Sequence, residues 1–450
     1  MGQAPEATTS ATLNRGRLLR VLGVGFGLAV IIGNTIGAGI LSTPGKIADQ
    51  LLNPWLFIGV WLVGGVYALL GAVSIAELGT MLPRSGGQYV FARHALGDYA
   101  GFIVGWSDWI STCGSTAFIS LVIAQYSVVL FPGLGGRVPA IALVIVLAFG
   151  IIQWRGIRWG SGVQNITSIV KTLAYLLLVL ACFLLAGGSH VESSGAVQAP
   201  TGVKLFVAVI LALQSVIYTY DGWTGVIYFS EEVKDPARDI PRAMIGGVLS
   251  VIAIYLLVNL AVLYVLPISE IAGSDLALGK AAEAIFGPNG DRIFRALMVL
   301  AMLSAVNACQ LMATRVLFAM SRDGLFSNRG AQANEGGTPT VALLFSTLVA
   351  ALFILVGTDN QVLAAVAFFF VVNYAVSFAV VFLLRRREPD RPRPYRAWGY
   401  PWTTGLTLVG SIGFLAGAIA SDTKNSVYAL ALLAASYPAF RLSKWLMQRQ

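Results

Sequence analysis

Twelve apolar runs, each about as long as a helix that crosses a lipid bilayer, divide this 450-residue chain. They lie near 21–51, 55–82, 98–131, 138–156, 159–187, 203–233, 242–268, 290–320, 339–357, 360–387, 402–421 and 425–446. A spanning helix needs roughly 20 mostly apolar residues. In lipid every backbone N–H and C=O must find a partner inside the protein, which leaves only helices and closed barrels. Continuous runs of this length exclude the alternating ten-residue strands of an outer-membrane barrel. Composition agrees, with 57% hydrophobic and 11% charged residues, against about 25% charged in a soluble domain. The expected fold class is an all-α polytopic membrane protein with twelve transmembrane helices. Such apolar content excludes disorder. The polar start, followed by Arg15, Arg17, Arg20 and a long apolar run without a small-residue cleavage pattern, is not expected to be a secretory signal.

The formal net charge of +9 is a topology signal. With the N-terminus placed inside, 21 Lys and Arg residues fall in inner segments and 6 in outer ones, with Lys46, Lys171 and Arg315 inside runs. That asymmetry follows the positive-inside rule and puts both termini in the cytoplasm of a cell-membrane protein. No nucleic acid partner is expected. Cys113, Cys182 and Cys309 all lie in apolar runs and read as small buried hydrophobes. His94 and His190 lie in loops, and HExxH is absent, so neither a metal nor a cofactor is expected. Without a buried His or a nucleophile–base pair no enzyme is read here, and neither rings of charge nor filter repeats mark a channel.

Two runs carry what a plain membrane helix avoids. The first contains Gly33-Asn34-Thr35-Ile36-Gly37-Ala38-Gly39, with Pro44 beyond it. The sixth contains Tyr218-Thr219-Tyr220-Asp221-Gly222-Trp223-Thr224-Gly225. Glycines in one membrane helix also serve close packing. Two Gly-interrupted segments at matching places in two five-helix units, however, point to a transporter binding site. A helix broken at mid-membrane exposes free N–H groups at the start of its second half and free carbonyls at the end of its first. Those ends complement a zwitterion, the first seating a carboxylate and the second an ammonium. Gly23-Val24-Gly25-Phe26-Gly27 follows no strand, and Gly45-Lys46 lacks the rest of a P-loop, so phosphate binding is not read from them.

Several stretches resemble the amino acid–polyamine–organocation superfamily, in particular bacterial L-type amino acid permeases: GNTIGAGILSTPG in the first run, PRSGGQYVFARHALG after the second, VQNITSIVK in the fifth, YTYDGWTGVIYFSEEVKDPARDIPRA in the sixth, NACQLMATRVLFAMSRDGLF in the eighth and REPDRPRPYRAWGYP after the tenth. The resemblance implies a LeuT-type inverted repeat: a tail at 1–20, five helices over 21–187, five over 203–387, two more over 402–446 and a tail at 447–450. It implies that the amides of Gly37, Ala38 and Gly39 hold the substrate carboxylate, and that the carbonyls of Thr35, Tyr218 and Asp221 hold the ammonium. Tyr218 takes the position of an aromatic gate, and Gly222 belongs to the same break. Ala38 stands where relatives often have Ser, removing a hydroxyl contact.

Ser111, Thr112 and Ser115, with Asp108 nearby, and Leu303, Ser304 and Asn307 are implied to face the substrate side chain, with Trp223 restricting volume. That lining leans toward small or medium neutral L-amino acids. Cationic amino acids or polyamines, and a sensor that binds without transporting, are the alternatives. Lys171, twelve residues into the fifth run, must pair or reach water at that depth. By the resemblance it bonds carbonyls near Gly33 in place of a bound sodium, and a protonation change there is a route for coupling to protons. Asp221 reads either as an ion site or as the cap of the second half of its helix. Trp106 and Trp109 read as packing residues. Glu77, Glu231 and Glu232 are expected to pair with Arg84, Lys234 or Arg242. The segment 132–138 has no Cys, so the disulfide-linked partner subunit of eukaryotic relatives is not expected. Proton symport and amino acid exchange both remain open.

Overall fold

The computed structural model describes residues 17–186, 200–357, 360–421 and 423–447. Arg15, His190, Arg449 and most of the two tails lie outside the described residues. The described residues form helices and contain no strand. The first apolar run is two helices, α1 (Val24–Thr35) and α2 (Gly39–Leu51), bent by 48° across the three residues between them. Next come α3 (Pro54–Met81), α4 (Gln88–Leu96), α5 (Asp98–Leu130), α6 (Val138–Trp154) and α7 (Ile157–Leu185). The sixth run begins as α8 (Gly202–Thr219) but does not resume as α-helix: turns lead into a single 3₁₀ segment, Gly225–Phe229. The chain continues through α9 (Pro236–Val265), α10 (Ile268–Ile271), α11 (Ala277–Phe286), α12 (Gly290–Arg322), α13 (Thr340–Val356), α14 (Asn360–Arg387), α15 (Trp402–Ser421) and α16 (Thr423–Met447).

Eight of these segments are long and apolar enough to cross a membrane, or nine with α1 and α2 as one broken span. α6 and α13 are apolar but only 17 residues each. α16, expected as a twelfth run at 425–446, falls short on the same test. The short helices α4, α10 and α11 are additions to what the runs predict. Local chemistry explains the ends. Asn53 accepts hydrogen bonds from the amides of Trp55 and Leu56, with Pro54 in the first turn, and so starts α3. Gly87 (φ 64°) and Gly97 (φ 90°) bracket α4 in conformations an L side chain avoids.

α12 is the central element, packed along α5, α7 and α1, and every residue from Ser304 to Ser321 is buried. α9 lies against α3 and α1, and α2 against α8. Outer helices show the opposite face. On α7 the exposed Ile166, Ile169, Leu173, Leu177, Leu180 and Leu184 recur at three- and four-residue spacing, one apolar stripe turned away from the core. Lys171, fully buried, sits on the inward side of that same helix.

Candidate functional site

The two interruptions meet. α2 starts at Gly39 with Ala38 as its N-cap and no side-chain cap; the Leu41 amide turns back on the Ala38 carbonyl at 3.1 Å, and Ala38 offers no side-chain acceptor to the amides before that of Leu41. The Gly37 amide turns back on the Thr35 carbonyl at 2.9 Å. α2 passes close to the end of α8: a Cβ on Gly39 would lie 3.1 Å from Thr219 Cγ2, and the Thr43 and Thr219 hydroxyls are 2.7 Å apart. Tyr255 of α9 joins both breaks, its hydroxyl lying 2.8 Å from the Thr35 carbonyl and 3.0 Å from that of Thr219. The Tyr218 carbonyl accepts from the Asp221 amide at 3.1 Å.

Between the breaks lies a cavity of about 330 Å³, within the range of small-molecule sites. Thr35, Gly37, Ala38, Gly39, Thr112, Ser115, Tyr218 and Asp221 of the predicted set line it. Asn34, Ser42, Lys46, Thr219, Cys309 and Met312 line it too and are absent from that set. Gly222, Trp223, Ser111, Leu303 and Asn307 are not among the lining residues. Each has another engagement. Trp223 stacks on Tyr374 with ring centroids 4.8 Å apart. The Ser111 hydroxyl donates to the Ser107 carbonyl. Leu303 packs against the apolar core. Asn307 donates to Gln164 Oε1 at 2.8 Å and to the Gly160 carbonyl at 3.1 Å, and accepts from Gln153 at 2.9 Å. The structure thus turns Asn307 into a buried amide cluster against α6 and α7, away from the cavity.

Gly222 holds the crossing of the two breaks. Its φ is 113°, and a Cβ there would lie 2.8 Å from Asn34 Nδ2 and 2.9 Å from the Thr35 amide nitrogen. The left-handed backbone alone costs an L residue about 1–2 kcal/mol. Gly222→Ala is expected to lower uptake at least tenfold in reconstituted protein while leaving the helical content unchanged; uptake at the parent level would show that the crossing tolerates a methyl group.

Lys171 grips the first break. Its Nζ donates to the Gly33 carbonyl at 2.8 Å and to that of Ile36. Ser168 and Gln164, one and two turns earlier on α7, both donate to the Ala29 carbonyl, at 2.7 and 3.1 Å. Positions 164, 168 and 171 repeat the four-then-three spacing of 29, 33 and 36, so one polar stripe of α7 follows the exposed carbonyls of α1. Ser304 of α12 adds a longer bond to Gly33, at 3.4 Å.

Asp221 does not cap a second half-helix, since the 3₁₀ segment has Thr224 at its N-cap and no side-chain cap bond. Its carboxylate accepts the Tyr374 hydroxyl instead. The pairing expected for the acidic residues also changes. Glu77 binds Arg385 and Arg393, Glu231 binds Arg322, and Glu232 binds Arg315, while Arg84 goes to Asp323. Lys234 and Arg242 take no part in these pairs, because helices distant in sequence bring the arginines closer. Trp109 packs on Phe345 and donates to Ser346, and Trp106 stacks on Phe102.

Comparison with known proteins places this arrangement in a family. A family model described as amino acid permease matches residues 27–436. The serine/threonine exchanger SteT of Bacillus subtilis is 29% identical over 435 residues, 94% of this chain and 96% of that protein. The b(0,+)-type amino acid transporter 1 of Mus musculus is 26% identical over 87% of this chain and 81% of its own. The large neutral amino acids transporter small subunit 2 of Rattus norvegicus is 27% identical over 87% and 75%. These relatives are transporters, and the chain, a multi-pass membrane protein, belongs to the amino acid permease family of the amino acid–polyamine–organocation superfamily.

Proposed function

We propose that this chain is a secondary transporter of small to medium neutral L-amino acids, working by alternating access around the two breaks. The observation that carries this reading is one cavity lined at once by Gly37, Ala38 and Gly39 of one interruption and by Tyr218 and Asp221 of the other. The uncapped start of α2 seats the carboxylate, and the carbonyls left by α1 and α8 accept from the ammonium. Each carbonyl oxygen has two lone pairs; Thr35 already accepts from the Gly37 amide and the Tyr255 hydroxyl, and Tyr218 from the amides of Tyr220 and Asp221, so the ammonium takes the place of one of these donors. Thr112 and Ser115 meet the side chain. Asp221 keeps Tyr374 as its partner, which favours neutral over cationic substrates. Lys171 supplies a fixed cation in place of sodium.

In this reading the chain has twelve spans: five-helix inverted repeats over 21–187 and 203–387, then two helices over 402–446, in the cell membrane with both termini cytoplasmic. The residues that line the cavity away from the basic end, Ser42 and Lys46, face the outside. Ion pairs at the basic end close the inside: Arg322–Glu231 at 2.6 Å, Arg84–Asp323 at 3.0 Å and Arg315–Glu232 at 3.0 Å. The exchanger among the relatives supports exchange of one amino acid for another as a working mode.

The test is counterflow of labelled amino acids into proteoliposomes loaded with unlabelled ones. Neutral amino acids of the size of serine, threonine and alanine are expected to exchange. Absence of counterflow across a full panel, or exchange confined to lysine and arginine, would overturn the reading.

A further inference from the structure

Gly45-Lys46 belongs to no P-loop, but the fold gives it another placement. Gly39, Ser42 and Lys46 all line the cavity between the breaks, at the three- and four-residue spacing that puts them on one face of α2. From Gly39 the helix runs toward the side away from the basic end. Lys46 is exposed while its neighbours Gly45 and Ile47 are buried, so its ammonium reaches solvent where the cavity opens. The backbone beneath it is held in place. The Gly45 carbonyl accepts from the Gly273 amide at 3.0 Å, and a Cβ on Gly45 would collide with the Ser274 carbonyl oxygen. A glycine is what lets the 273–274 turn come this close, and the contact fixes the turn of α2 that carries Lys46.

Charge is distributed unevenly along this cavity. Among the described residues that line it, Lys46 and Asp221 alone are Lys, Arg, Asp or Glu. Asp221 lies at the other break, where it accepts the Tyr374 hydroxyl. The Lys46 ammonium makes no ion pair among the described residues. Asp49, one turn further along α2, and Asp275, next to Ser274, are both exposed and stand outside the lining. Phe118 and Ile119 of α5 and Phe370 of α14 give the same cavity apolar wall. Low-dielectric walls focus the field of a charge into the water-filled part of a cleft, so Lys46 acts further than it would on an open surface. The start of α2 carries the positive end of its helix dipole. Lys46 and those amides therefore set one sign of potential along one face of the path.

We propose that Lys46 is the charge filter of this cavity: its ammonium draws the substrate carboxylate along the α2 face toward the amides at Gly39, and it repels a second positive charge on the substrate side chain. The filter rests on the transport reading above and names the residue that sets its preference for neutral over cationic amino acids. A neutral amino acid enters with its carboxylate toward Lys46 and Ser42, whose hydroxyl is a donor one turn nearer the break. Its single ammonium is left for the carbonyls of the breaks, on the side of Asp221. A cationic amino acid brings the same two groups and one more ammonium, which stays in the field of Lys46 wherever it lies in the cavity. L-ornithine and L-norvaline share a carbon chain and differ by that one charge, so the filter tells them apart where the shape of the cavity does not.

The test is counterflow of labelled L-threonine by the full-length protein in proteoliposomes at neutral pH, inhibited by L-ornithine or by L-norvaline. The parent is expected to need at least tenfold more ornithine than norvaline for the same inhibition. That ratio is expected to shrink as potassium chloride rises from about 20 to about 500 mM, because salt screens exposed charges. Lys46→Gln is expected to lower the ratio about tenfold, the low end of what a focused field does, and to remove its salt dependence. Lys46→Glu is expected to lower it further, and Lys46→Arg to keep the parent's ratio. Thermal stabilisation of the detergent-solubilised protein by each amino acid reads the same ratio, so a variant that does not transport still reports. A parent that accepts ornithine as readily as norvaline overturns the filter. So does a ratio that stays at the parent's value in Lys46→Gln and Lys46→Glu, and in both cases the transport reading stands. Absence of parent counterflow across the full amino acid panel overturns the transport reading itself.

Discussion

Lys171→Ala is expected to abolish uptake, both down a proton gradient and in simple counterflow. The Lys171 ammonium is fully buried and donates to the carbonyls of Gly33, in the last turn of α1, and of Ile36, just past its end. Without it the Ile36 carbonyl loses its side-chain donor, and Gly33 keeps only the 3.4 Å bond from Ser304. A hydrogen bond from a charged donor contributes about 1.5–3 kcal/mol, so two such bonds amount to at least about 3 kcal/mol. At about 1.4 kcal/mol per decade, that corresponds to a hundredfold or larger fall in the population with the break correctly shaped. Lys171→Arg is not expected to rescue, because Gln164 and Ser168 fill the adjacent turn and leave no place for a planar guanidinium. Counterflow by Lys171→Ala within threefold of the parent, measured at saturating L-threonine, would mean that the lysine is needed for neither the shape of the break nor transport.

The stripe that carries Lys171 is partly legible in the sequence, and the limits of legibility follow from physics. Gly37 and Gly39 announce a break because little else interrupts a membrane helix, and the end of α8 at Thr219 falls where polar residues and Gly222 enter an apolar run. Lys171 stands out because charge at that depth is rare. α4 escapes because QYVFARHAL is too short and too mixed to read as a span; its signal is the pair of glycines at its ends. The direction of Asn307 is not readable, since α12 is buried on nearly every side and periodicity then gives no preferred face. Asn307 turns to α7, while Cys309 and Met312 turn to the cavity. Tyr255 looks like any tyrosine in an apolar run, and only the fold brings its hydroxyl to both breaks. Ion pairs are the least legible. Glu77 meets Arg385 and Glu232 meets Arg315 across 308 and 83 residues of chain, whereas nearest-neighbour reasoning favours nearby lysines and arginines.

The Arg315–Glu232 pair yields the second large effect. Arg315 Nε and Nη2 donate to the two Glu232 oxygens at 3.0 Å each, both side chains are fully buried, and the guanidinium lies over Phe229 at 5.3 Å. Removing one member of such a pair strands the other charge, at about 3–5 kcal/mol, whereas replacing both with apolar groups of similar volume is often neutral. Glu232→Leu and Arg315→Met are therefore each expected to lower the Tm of the detergent-solubilised protein by several degrees. The double variant is expected to return close to the parent. Transport separates stability from function. If the pair only held the fold, the double variant would recover uptake along with its Tm. In the alternating-access reading the pair closes the inner side and must part and be rewetted once per cycle. A greasy replacement closes that side without the hydration that lets charges separate. The double variant is expected to recover Tm but to exchange L-threonine at least tenfold more slowly than the parent, and full recovery of both would assign the pair to folding alone.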